Sequence, residues 1–251
     1  MKKLLILCLT AFAMTASASG AYALYDLDSM SYVVVQEKRE SRSIASITKM
    51  FTAITVINSG VDLNEKIKVK GKSTGRFNNG TYVSRMDLLK AAVISSDNRA
   101  AESLANAHPG GLDRYIQDVN KYLSDNAMYD TRIVDATGLL AGNTSTPGDL
   151  VQFLHLIKDD PVILSIAGER NATVTAPRGK KQVQIPLRNT NPDIFKYDNV
   201  LISKTGFTSS AGRCVLMLVE RSKILYAVVV LGQPNPKVRS QVVSQLIVSS
   251  L

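Results

Sequence analysis

The spacing of apolar positions changes several times along the chain, and each change marks an element. Residues 22–26 and 31–37 read as short strands joined by the turn Leu27-Asp28-Ser29-Met30, a hairpin. Ile47, Met50, Ile54 and Ile57 then recur at helical spacing and predict a helix ended by Ser59-Gly60. Residues 67–70 alternate like an edge strand before the polar loop 71–80. From 86 to 124 the period is helical, through Leu88, Leu89, Ala92 and Val93, then Ala100 and Leu104, then Leu112, Tyr115, Ile116 and Val119. A turn-rich stretch over 135–147 leads into a helix with Pro147 in its first turn and Leu150, Phe153, Leu154 and Ile157 on one face. A short helix covers 162–167. Strands return at 172–176, 182–187, 200–205, 214–220 and 224–231, and a helix over 236–248 follows.

Late strands joined by turns such as Arg221-Ser222-Lys223 have no room for a crossover, so they are antiparallel. The expected fold is therefore α+β, an antiparallel sheet flanked by helices with an inserted all-helical subdomain at about 84–168.

The first residues change this picture. Lys2-Lys3, an apolar run from Leu4 to about Met14, and small residues ending in Ala16-Ser17-Ala18 and Ala21-Tyr22-Ala23 form a secretory signal peptide at 1–23, with the working domain at 24–251. The run is short for a bilayer span, so cleavage after Ala18 or Ala23 and a periplasmic or secreted protein are expected. Cys8 is preceded by Leu7, the wrong context for a lipoprotein, and leaves with the leader. Cys214 then has no partner for an intramolecular disulfide, and about 228 residues must be held by a core. The formal charge of +9, or +7 without the leader lysines, is scattered, which suits work beside an anionic polymer or membrane surface. Arg178, Lys180 and Lys181 form the one dense basic patch, too little for a nucleic-acid partner. His108 and His155 lack companions at ligand spacing, so no metal or cofactor is expected. Val238, Val242, Leu246 and Ile247 read as a helix face packed on the sheet, so no stable membrane anchor is expected.

Three small clusters carry candidate chemistry. Ser46 and Lys49 stand three apart at the start of the first apolar helix, which places the amine beside the hydroxyl. A desolvated amine there can take the hydroxyl proton without a histidine. A capping serine followed by a surface lysine is the plainer alternative. Ser95-Ser96-Asp97-Asn98 breaks the helical block; it reads either as an N-cap aided by Glu102 or as inward-pointing Ser96 and Asn98 at a helix junction. Lys204-Thr205-Gly206 ends the strand over 200–203, either as ordinary strand-end residues or as a cation, a hydroxyl and a bare backbone against which substrate can lie.

Ser-x-x-Lys, Ser-Asp-Asn and Lys-Thr-Gly, in that order and in helix, helical loop and strand, are the motifs of penicillin-binding proteins and class A β-lactamases. The chain resembles the serine D,D-peptidases, and most of all low-molecular-mass penicillin-binding proteins of the D-alanyl-D-alanine endopeptidase type. The likeness extends through residues 42–49, 95–101, 138–150 and 187–191. It implies a penicillin-binding protein/β-lactamase-like fold that cleaves peptidoglycan cross-links through an acyl-enzyme at Ser46. Lys49 would be the base, Ser96 the proton relay to the leaving amine, and Asn98 the holder of Lys49 and of the substrate amide. Lys204, Thr205 and Gly206 would bind the substrate, the N–H groups of Ser46 and Phe207 would form the oxyanion hole, and Arg188 would assist carboxylate recognition. Peptidoglycan stems and cross-links would be its partners and β-lactams its covalent inhibitors. Trimming of pentapeptide stems and a silent wall-binding or penicillin-sensing role are the alternatives. A class A β-lactamase uses a Glu-x-x-x-Asn between the second and third motifs. Here Glu169 is the only glutamate between Glu102 and Lys204, and Thr173 stands four beyond it, so slow release of the penicilloyl group is expected.

Overall fold

A computed structural model describes residues 20–250; most of the leader expected at 1–23 lies outside the described residues. The chain runs through β1 (Ala21–Asp26), β2 (Ser31–Gln36) and β3 (Arg42–Ser43) to a 3-10 turn at Ala45–Ile47 and α1 (Thr48–Asn58). β4 (Lys66–Lys68) and β5 (Tyr82–Ser84) bracket a long loop, and α2 (Arg85–Ile94), α3 (Asn98–Asn106) and α4 (Gly111–Asp125) follow. Next come β6 (Thr144–Ser145), α5 (Pro147–Ile157), α6 (Pro161–Ala167), β7 (Asn171–Arg178) and β8 (Lys181–Arg188). β9 (Val200–Thr208), β10 (Gly212–Arg221), β11 (Ile224–Gln233) and α7 (Pro236–Val248) complete it.

The main sheet is antiparallel with order β2-β1-β11-β10-β9. Its two faces take alternate residues. Ala21, Ala23, Leu216, Leu218, Ala227 and Val229 join the helices in the larger core, while Tyr22, Leu24, Val215, Met217, Val228 and Val230 face Val242, Val243, Leu246 and Ile247 of α7. Because β10 and β11 are covered on both sides, they read as unbroken apolar runs rather than alternating ones. Cys214 is buried among them, and burial raises its thiol pKa to about 11, so it is an inert packing group.

α1 is the centre of the helical half, and every residue from Thr48 to Val56 is buried. Phe51 stacks on Phe153 of α5 at 4.1 Å between ring centroids, and Thr52 shares a 2.8 Å hydrogen bond with the buried Tyr115 hydroxyl of α4. A helix surrounded on all sides is a rigid mount for whatever its first turn carries.

The α+β expectation holds, with three differences of detail. β7 and β8 form a hairpin of their own that packs on α2 and β5 and takes no place in the main sheet. The segment read as all-helical at 84–168 includes β6, which pairs with β3 just ahead of Ser46, and its helix α5 packs on β1 and β11. β1 begins at Ala21, with Ala21, Tyr22 and Ala23 paired to Leu231, Val230 and Val229, so the folded domain reaches three residues ahead of the boundary at 24.

Candidate active site

The turn that carries Ser46 is closely enclosed by backbone. Ala45 sits at φ 46, a left-handed conformation that a side-chain-bearing residue adopts at a cost. Thr48 Oγ1 donates to the Ala45 carbonyl at 2.7 Å and ties the turn to α1. Two glycines close around it. A Cβ on Gly138, itself at φ 81, would lie 1.9 Å from the Ala45 carbonyl oxygen, and one on Gly206 would lie 2.7 Å from the Ile44 carbonyl oxygen and 3.0 Å from the Ser46 nitrogen. The backbone of β9, the last strand in the order of the main sheet, therefore runs directly against the amide of Ser46.

Ser46 lies in the 3-10 turn rather than in α1 itself, and that turn still carries Lys49 onto its side of the helix. Lys49 Nζ donates to Ser46 Oγ at 2.8 Å and to the Thr137 carbonyl at 2.6 Å, and the side chain is fully buried. Burial drives the amine down to about 7, against the opposing pull of Asp135, Asp97 and Glu102. The surface-lysine alternative is thereby excluded.

Across the site, Lys204 is equally buried, and its Nζ donates to Ser96 Oγ at 2.9 Å and to the Thr205 carbonyl at 3.0 Å. Burial, then the neighbouring Lys49, hold its pKa well below the usual lysine value. Ser96 reaches it because its own backbone is left-handed, φ 57, at the break between α2 and α3. Each reading of this break holds in part: Asp97 is the N-cap of α3, accepting from Ala100 N at 2.8 Å, while Glu102 turns to Ser73 instead of the cap, and Ser96 points to Lys204 without Asn98.

The remaining expected residues divide. Thr205 Oγ1 shares a 2.6 Å hydrogen bond with Thr190 Oγ1, and Thr190 N donates to the Ile94 carbonyl, so the 188–190 segment straps β9 to the end of α2. Phe207 is half exposed with the Arg213 guanidinium 3.5 Å from its ring centre. Asn98 stands in the first turn of α3, but its amide makes no hydrogen bond among the described residues; the second partner of Lys49 is the Thr137 carbonyl. Arg188 is exposed and stacks over Phe195, while its backbone bonds the Ser95 hydroxyl; it is not brought to the lysine cluster. A second Ser-Asp-Asn, at 124–126, lies at the end of α4, where Ser124 only caps its own helix through the Lys121 carbonyl.

Asp135 escaped the sequence reading. Its carboxylate accepts from Gly138 N at 2.7 Å, Leu140 N at 2.9 Å and Asn143 Nδ2 at 2.8 Å, and from both Thr137 N and Oγ1. Burial pushes its pKa up, but these hydrogen bonds more than offset that and leave it below the usual value. Asp135 thus builds the loop that delivers both the Thr137 carbonyl and Gly138. The Asp-x-Thr-Gly turn was visible as a turn, without a sign of what it faced.

A buried lysine brought to about 7 beside one serine, with a second buried lysine held by another, is an arrangement suited to drawing a proton from a serine hydroxyl. The chain belongs to the D-alanyl-D-alanine carboxypeptidase family, whose profile matches residues 10–235. It is 37% identical over 222 residues to the D-alanyl-D-alanine endopeptidase of Escherichia coli, covering 83% of this chain and 70% of that one. It is 36% identical over 184 residues to the D-alanyl-D-alanine endopeptidase of Pseudomonas aeruginosa, covering 69% of this chain and 58% of the relative. Among solved structures, a Streptomyces DD-transpeptidase superposes with a TM-score of 0.86 at 19% identity, covering 92% of this chain and 96% of that one. A penicillin-binding protein of Listeria monocytogenes in its ampicillin-bound form gives 0.79 at 24%, covering 91% and 95%. These two likenesses concern the fold.

Proposed function

We propose that the protein is an exported serine D,D-endopeptidase that opens D-alanyl cross-links in peptidoglycan. The observation that carries this reading is the 2.8 Å bond from a fully buried Lys49 to Ser46. Neutral Lys49 accepts the Ser46 proton as Oγ attacks the carbonyl of the D-alanyl peptide bond. The developing oxyanion is met by the Ser46 N–H and by the next N–H along β9, that of Phe207, because Gly206 lets this strand approach. The proton then passes through Ser96, steadied by Lys204, to the leaving amine, and water releases the acyl group. Among the described residues no other strand of the main sheet pairs with the outer side of β9, and an extended peptide is taken to add there.

Labelled penicillin should mark Ser46 alone, and an adduct elsewhere, or none, overturns the acylation chemistry. Digestion of purified cross-linked peptidoglycan should convert D,D-cross-linked dimers to monomers, an activity lost in Ser46→Ala. Removal of terminal D-alanine only would instead make the protein a stem-trimming carboxypeptidase. The endopeptidase relatives at 36–37% identity favour the first outcome. Release of the penicilloyl group should be slow: part-buried Asp135 has both oxygens committed to its own loop, and buried Asp97 has its two oxygens on Ala100 N and Arg76 N. Rapid β-lactam turnover would overturn that. Of the two leader sites, cleavage after Ala18 preserves β1 whereas cleavage after Ala23 removes three paired residues. N-terminal sequencing of the exported protein should therefore find Ser19 first.

A further inference from the structure

The Lys49 amine is held at two points, the Ser46 hydroxyl and the Thr137 carbonyl, and only the first takes part in the reaction. The second sets how the amine faces. A carbonyl can only accept, so a neutral Lys49 turns an N–H toward Thr137 and keeps its lone pair off that side. Where the carbonyl sits therefore decides which directions remain for the lone pair that must meet the Ser46 proton, 2.8 Å away.

Two holds keep that carbonyl in place. Asp135 accepts from Thr137 N, Thr137 Oγ1 and Gly138 N, on the loop's own side. The other comes from α1 itself. Thr52, three residues beyond Lys49 and on the same helix face, donates to the Ala136 carbonyl at 2.8 Å, one residue ahead of the Thr137 carbonyl. A threonine hydroxyl has a single proton, and the Thr48 carbonyl in its own helix stands farther off at 3.3 Å. The Tyr115 hydroxyl of α4 lies 2.8 Å from Thr52 Oγ1, and among the described residues it has no other partner. Both side chains are fully buried, and burial raises the Tyr115 pKa, so the phenol keeps its proton. The direction of the bonds follows: Tyr115 donates to Thr52, and Thr52 to Ala136. The reverse order would leave a buried phenol proton and a buried carbonyl without partners.

We propose that Thr52 and Tyr115 are positioning residues for the base, fixing through the Ala136 carbonyl the Thr137 carbonyl against which Lys49 is turned toward Ser46. This rests on the peptidase reading above. The charged groups that act on Lys49 come from other directions, Asp135 from this loop, Asp97 and Glu102 from α3 and Lys204 from β9, and every one is retained in the variants below.

The test follows the rate of penicillin labelling at Ser46 across pH. Thr52→Val removes the hydroxyl at similar volume, Tyr115→Phe removes the phenol oxygen and leaves the ring in its edge contact with His108, and Thr52→Ser keeps the hydroxyl. A displaced carbonyl withdraws more from the ammonium form of Lys49 than from the amine, so the midpoint of the pH rise should move below the wild-type value of about 7. The plateau rate above it should fall roughly tenfold in Thr52→Val and by less in Tyr115→Phe, because the lone pair is no longer aimed. Thr52→Ser should restore both. A merely structural role would lower the melting temperature and the labelled fraction, and leave the midpoint and the rate per folded molecule unmoved. That result overturns the inference, as does a Thr52→Ser variant no better than Thr52→Val. Should Thr52→Val not fold, Tyr115→Phe decides: a lowered plateau with a shifted midpoint supports the inference and a wild-type profile overturns it. Wild-type protein that takes no label at Ser46 defeats the peptidase reading itself, whereas labelled wild type with unmoved variants defeats this inference alone.

Discussion

In the proposed mechanism Lys49 is the base, and its titration then sets the pH response. With the amine brought to about 7 by burial, the base is protonated and idle at lower pH, so the rate of Ser46 acylation should climb as pH rises through about 7. The sign for stability is the same. Between about 7 and the ordinary value of 10.5 the unfolded chain holds a proton that the folded chain has lost, so this group's cost to folding diminishes as pH rises across that window. Lys49→Arg keeps a cation but cannot yield its proton, and it should lose acylation by orders of magnitude while binding of noncovalent ligands survives. An Arg variant labelled by penicillin at the wild-type rate would remove Lys49 as base. Gly138→Ala tests the turn behind the nucleophile. The added methyl meets the Ala45 carbonyl oxygen at 1.9 Å on a backbone at φ 81, so a loss of at least ~2 kcal/mol and of most labelling is expected. Denaturant melts with penicillin labelling would read both. At this scale the sequence was legible where motif and spacing coincide, as at Ser46, Lys49, Ser96 and Lys204. Asp135 was not, because its role lies in five hydrogen bonds that converge only once the loop is closed. Asn98 was read as an inward-pointing amide and Arg188 was named from resemblance, and neither reaches Lys49 or Lys204 through a hydrogen bond among the described residues.

Elements announced themselves wherever one face was apolar. The helix at α5, with Pro147 at its start and Thr146 capping it through Asp149 N, follows its periodicity and cap signals together. What periodicity cannot give is the partner of a strand. The alternation in β7 and β8 is that of a half-buried ribbon, and the same pattern serves a main-sheet strand or a separate hairpin. α3 shows how one short element serves two ends: Asp97, next after the left-handed Ser96, caps it and clamps the 71–80 loop through Arg76 N. Asp97→Ala should cost about 1–3 kcal/mol, from the lost cap and an orphaned amide. It should also slow penicillin labelling although Asp97 touches no reacting atom. A thermal melt unchanged by this substitution would show the clamp to be dispensable.

At the scale of the molecule, the α+β class and the order of its parts were readable, because β10 and β11 are long apolar runs joined by a three-residue turn. The location of the site on the sheet's edge was not, since it depends on β9 ending the order β2-β1-β11-β10-β9. That same order joins the first strand of the domain to the last. β1 is zipped along its whole length to β11, Ala21 opposite Leu231 through Asp26 opposite Tyr226, and α7 covers the seam. A chain made from its amino end delivers β1 first and must keep it waiting, unpaired on that side, until some two hundred further residues have emerged. Synthesis and collapse are thus kept in sequence by topology alone: the central seam cannot close on a half-made chain, and a chain halted before residue 224 should remain open to proteases however long it waits.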